Sequence, residues 1–119
     1  MDMVFNVLIS SVGKRVKLVR FFQEELKKIT AVSKVYTTEM NPRLSPAAVI
    51  SDGCFKVPRV TSNEYIDNLL EICISNNIGI IIPTIDTELL ILAENKGRFE
   101  KQGIYVMVSD FSFVQACRD

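Results

Sequence analysis

Short apolar runs alternate along this chain with longer stretches whose apolar residues recur every three or four positions. The first run, "VFNVLIS" (4–10), has no strict alternation, the pattern of a strand buried on both faces. In the following "KRVKLVRFFQEELKK", Val19, Phe22 and Leu26 share one helical face and Glu24 lies four residues before Lys28, spacing that suits an ion pair. "KVYTTEM" (34–40) predicts a second strand. "NPRLSPAAVISDG" carries two prolines and a glycine, which predicts a long connection with one helical turn around Ala47.

"FKVP" (55–58) reads as a third strand closed by proline. The segment 61–77 reads as a helix opened by the capping-box pair Thr61 and Glu64, with Ile66, Leu69, Leu70 and Cys73 inward. "IGIIIP" (78–83) is the clearest strand. A helix follows over 86–103, with Asp86 as N-cap and Gly103 just past its end; Gly97 inside it costs about 1 kcal/mol relative to alanine. "IYVMVS" (104–109) is the last strand, and Asp110 caps a final helix through "FSFVQACRD".

This order predicts an α/β fold: a Rossmann-like three-layer α/β/α sandwich around a mostly parallel, doubly wound sheet, as a single domain over 1–119. The final helical pattern reaches Asp119 without a glycine, proline or other stop signal, which reads as a fragment of a longer chain.

Composition narrows the chemistry. Lys plus Arg number 14 and Asp plus Glu number 14, so no charge excess favours nucleic acid or an acidic membrane surface. Histidine is absent, which removes His-dependent triads and imidazole metal sites. The three cysteines, Cys54, Cys73 and Cys117, form no CxxC pair and suit a reducing compartment; Cys73 and Cys117 lie on apolar helical stripes. The N-terminal apolar run is too short to span a bilayer and lacks the character of a signal peptide, so a soluble, cytoplasmic protein is expected.

Ligands of such sheets bind beyond the carboxyl ends of the strands, where strand order reverses. Those ends are "SSVGKR", "TTEMN", "PTIDTE" and "SD". In the first, Gly13 permits close backbone approach to an anion, and Lys14 and Arg15 place cations at a helix start that disfavours them by about 0.3–1 kcal/mol unless something negative joins them. The alternative is a solvated pair. The loop lacks both GxxxxGK[ST] and GxGxxG, so Glu39, placed where a ribose-binding acid would stand, is weakly supported in that role. In "PTIDTE", Thr84 and Asp86 lie on the turn and Glu88 in the first helical turn. Both acids suit the helix dipole, and each also stands where a ligand's ammonium or hydroxyl group would bind. Asp52 reads as a turn initiator, and Phe21, Phe22, Phe111 and Phe113 as packing residues.

The segments "NVLISSVGKRVKLV", "TTEMNPRLSPAAVISDGCFKVP", "YIDNLLEIC", "IGIIIPTIDTELLILA" and "GIYVMVSD" resemble, in order, the N-terminal pre-ATP-grasp domain of ATP-grasp ligases of the carbamoyl-phosphate-synthase large-chain-like type. The resemblance implies the substrate-side domain of an ATP-dependent carboxylate–amine ligase that activates a carboxylate as an acyl phosphate. It implies ATP and magnesium for the full-length protein but no cofactor in this fragment, with the ATP-grasp lobes following residue 119 as partners. The fragment alone is then expected to be inactive. The matching loop positions are Gly13, Lys14 and Arg15, then Glu39 and Asn41, then Thr84, Asp86 and Glu88, a substrate-binding set with no catalytic or metal-binding residue. Basic residues would hold a carboxylate or phosphate, and acids an amine. The other readings are a stand-alone Rossmann-like nucleotide-binding module and a protein-interaction module without catalysis. Apolar surface left bare by missing lobes would favour a homodimer.

Overall fold

The structure, a computed structural model, describes residues 5–10, 15–29 and 33–107. Among the described residues, five strands form one parallel sheet: β1 (Asn6–Ser10), β2 (Val35–Glu39), β3 (Gly53–Lys56), β4 (Ile78–Pro83) and β5 (Tyr105–Val106), in the spatial order β3-β2-β1-β4-β5. The described helices are α1 (Val16–Ile29), α2 (Pro46–Ile50), α3 (Tyr65–Ser75), α4 (Asp86–Glu94) and α5 (Lys96–Glu100), with a 3-10 turn at Pro42–Leu44. The Rossmann-like α/β class is the one expected, and the sheet is parallel throughout its described strands.

Alternation along the strands divides the interior in two. Val7 and Ile9 of β1 face a core completed by Val19 and Leu26 of α1 and Ala47 and Ala48 of α2. Leu8 and Ile81 face the other way, against Tyr65, Leu69 and Cys73 of α3, Leu92 of α4 and Phe99 of α5. Both faces of the sheet are covered, which is why β1 and β4 read as unbroken apolar runs.

α1 forms because its apolar stripe is continuous and Lys27 and Lys28 complement the dipole in its last turn. Lys28 pairs with Glu25 at 2.7 Å rather than with Glu24. The expected turn around Ala47 is α2: Ser45 Oγ accepts from the Ala48 N–H at 3.1 Å, and Pro46 occupies the first helical position. β3 begins earlier than expected, because Gly53 and Cys54 already pair with Tyr36 and Thr37. Asp52 contributes there: its backbone N–H donates to Val35 O, and its Oδ2 accepts from the Val35 N–H at 2.8 Å.

Three other expectations are corrected. Thr61 and Glu64 form no capping box; Glu64 precedes α3 with helical dihedrals and no side-chain cap bond, and Ser62 Oγ accepts its N–H at 3.2 Å. The helix expected over 86–103 breaks at Asn95, whose side-chain amide donates to Ile91 O at 2.8 Å, leaving α4 and α5. Gly103 follows with φ 77°, the left-handed conformation that ends such a segment. Phe21 is 55% exposed, edge-on to Phe22, and is not a core residue. The helix proposed from Asp110 onward, Phe111, Phe113 and Cys117 lie outside the described residues. Among the described residues, no helix is long and apolar enough to cross a membrane.

Candidate functional site

Because every described strand pair is parallel, the carboxyl ends lie on one edge. β1 pairs with β4 and their neighbours lie on opposite sides, so strand order reverses between them, and this is the position where a doubly wound sheet binds its ligand. The pairing sets Ser10 level with Pro83, while Ile9 is level with Thr37, so Glu39 stands one step beyond the end of β1.

A hydrogen-bonded cluster fills the space just beneath this edge. Glu88 is fully buried. Its Oε1 accepts from the Ser10 hydroxyl at 2.7 Å and from the Thr84 backbone N–H at 2.9 Å; its Oε2 accepts from the Tyr65 hydroxyl at 2.9 Å. The Thr84 hydroxyl in turn donates to the Ser10 carbonyl at 2.9 Å. A buried carboxylate is tolerated only when such donors replace water. Glu88 lies in the first turn of α4 and reaches back over the loop, as capping glutamates do, and thereby joins the ends of β1 and β4 to the start of α3.

Above the cluster lies Arg15, exposed, immediately before α1. Its Nη2 donates to the Thr84 carbonyl at 3.1 Å. This contact gives the guanidinium a partial negative charge to face at a helix start that otherwise repels it. A guanidinium carries five N–H donors in a fork matched to a carboxylate or phosphate, one of them here on Thr84.

The other expected residues fall on the same edge. Glu39, half-buried, ends β2, and its carbonyl accepts from Val57 N–H at 3.2 Å. Asn41 is exposed and precedes the 3-10 turn, its carbonyl accepting from Leu44 N–H at 3.0 Å. Asp86 opens α4, and the extended dihedrals of an N-cap belong to Ile85 instead (φ −127°, ψ 150°). Gly13 and Lys14 lie outside the described residues. Arg15, Thr84 and Glu88 are therefore tied together, and Glu39 and Asn41 stand at the end of the neighbouring strand. Glu88 is inside the domain rather than on its surface.

Sequence reasoning missed Ser10 and Tyr65. A fully buried tyrosine needs a partner for its hydroxyl, and a serine ending an apolar strand brings a donor to the edge; both were signals in principle.

The two described cysteines stand apart from this cluster in character. Burial pushes the Cys73 thiol up to about 12. Cys54, half-buried on β3, is also raised, first by burial and further by the charge of Glu39, with a Thr37 hydrogen bond opposing.

These features define a doubly wound α/β domain with its polar groups gathered at the switch point between β1 and β4. Residues 7–107 match the family model "PylC-like, N-terminal domain", and the chain belongs to that family, the pre-ATP-grasp domain of ATP-grasp ligases. No curated protein matches the chain. Among the described residues, no group of three or more acidic or cysteine side chains is arranged to hold a metal ion.

Proposed function

We propose that this chain is the substrate-side domain of an ATP-dependent carboxylate–amine ligase, and that its switch-point edge forms one wall of the cleft. The carrying observation is the family match over residues 7–107, taken with the gathering of Arg15, Thr84, Glu39 and Asn41 at one edge of the sheet. In this reading Arg15, with Gly13 and Lys14, holds a substrate carboxylate or phosphate. Glu39, Asn41 and Asp86 orient the amine, and Glu88 stiffens the wall from behind. Activation of the carboxylate as an acyl phosphate belongs to ATP-grasp lobes elsewhere in the full-length protein, and the domain alone is inactive.

The test uses the complete gene product, assayed for phosphate release with ATP, magnesium and panels of carboxylates and amines. Release that requires one member of each panel is the expected result. A gene product without ATP-grasp lobes, or ATP turnover indifferent to every carboxylate and amine, would overturn the proposal.

A further inference from the structure

The Thr84 backbone is held from two sides. Its N–H donates to buried Glu88, and its carbonyl accepts from exposed Arg15. Glu88 is itself held by Ser10 at the end of β1 and by Tyr65, a member of the buried core. The Thr84 hydroxyl adds a third restraint through the Ser10 carbonyl. The N–H and hydroxyl bonds thus anchor the Thr84 Cα from inside the domain, and the carbonyl that receives the guanidinium projects from that anchored residue.

We infer that Glu88 is a positioning residue: through the Thr84 backbone it fixes the Arg15 guanidinium at the sheet edge, pre-orienting it for the anionic group of the substrate. The inference rests on the proposed function for the identity of that group, but the mechanical link between Glu88 and Arg15 stands separately. Pre-orientation matters because a long arginine side chain otherwise loses its rotamer freedom at the moment of binding. A glutamate serves here because one carboxylate accepts from Ser10, Tyr65 and Thr84 together. Glutamine retains an acceptor for Thr84 while its amide group donates toward the Tyr65 oxygen, whereas leucine retains neither.

The experiment reads Arg15 directly, by nitrogen-15 relaxation of its Nε–Hε group in this chain, with exposed Arg20 as internal reference. The expected wild-type result is an Arg15 signal more ordered than that of Arg20. Glu88→Leu brings Arg15 to the mobility of Arg20, and Glu88→Gln restores much of the order. Should Glu88→Leu fail to fold, Glu88→Asp, one methylene too short to serve those donors together, replaces it. Tyr65→Phe is the structural control: it removes the donor to Oε2 and leaves Ser10 and Thr84 on Oε1, so stability is expected to fall while Arg15 stays ordered.

Titration with inorganic phosphate and, separately, acetate is followed on the same signal. The apparent Kd of the preferred anion rises roughly tenfold in Glu88→Leu, the scale of one hydrogen bond to a charged group. Arg15 mobility unchanged by Glu88→Leu or Glu88→Asp overturns the inference, whatever the anions do. Mobility that responds as expected, with no response to either anion, supports the link and overturns the anion-holding role proposed above.

Discussion

The Tyr65 hydroxyl donates to Glu88 Oε2 at 2.9 Å, joining the first residue of α3 to the first turn of α4 inside the protein. Both side chains are fully buried, so neither can exchange the contact for water. Tyr65→Phe removes this donor from the buried carboxylate. The expected loss is about 1–3 kcal/mol. Urea unfolding checks it as a lower midpoint with an unchanged m-value, and an unchanged midpoint would mean that another group had taken the place of the hydroxyl.

Arg15→Ala acts at the surface rather than in the core. In the complete enzyme it is expected to raise KM for the anionic substrate roughly ten- to a hundredfold, with kcat little changed. Unfolding of the variant should follow the wild-type curve closely, since an exposed side chain making one hydrogen bond contributes little to stability. Unaltered KM would remove Arg15 from the substrate wall.

Cys73 gives the domain an alkaline limit. Its thiol is raised from the usual 9.0 to about 12 by burial, so between those values the unfolded chain releases a proton that the folded one retains. Stability from this group is complete below the unfolded value and falls as pH climbs toward the folded one. Cys73→Ala should flatten that part of the stability–pH curve. At mildly alkaline pH, a disulfide reagent followed by peptide mass mapping should modify half-buried Cys54 ahead of Cys73.

Two glycine substitutions should move stability in opposite directions. A Cβ on Gly79 would lie 2.6 Å from Phe5 Cβ and 2.9 Å from its Cγ, forcing the start of β1 away from β4. Gly79→Ala is expected to cost about 1–3 kcal/mol by overpacking. Gly97 lies within α5 with open space around the added carbon. Gly97→Ala should therefore gain about 0.5–1 kcal/mol through helix propensity and a less flexible unfolded chain. Paired thermal melts of the two variants check the signs.

Much of the architecture was legible because both faces of the sheet are covered. "IGIIIP" has no polar interruption and β4 spans those same residues, Ile78–Pro83. Val19 and Leu26 marked the inner face of α1 for a related reason. The break at Asn95 was hidden because asparagine inside a helical pattern looks like a solvated position until its amide is seen on the Ile91 carbonyl. At the site, the loop residues carried the clue of position alone. Glu88 read as a first-turn acid, which it is, but its burial depends on Tyr65 and Ser10, brought to it from 23 and 78 positions away. No local pattern encodes an encounter of that kind.

The strand order has a consequence for how the chain acquires its shape. β1, made before the other described strands, lies in the middle of their sheet, and Asn6 meets Asn76 across 70 positions. On the ribosome it can pair with β2 at once, yet its other side waits for a partner synthesised much later. Closing so long a loop is entropically costly and slows folding. During that interval the nascent sheet presents an open apolar border, and other chains in the same condition are the competitors for it.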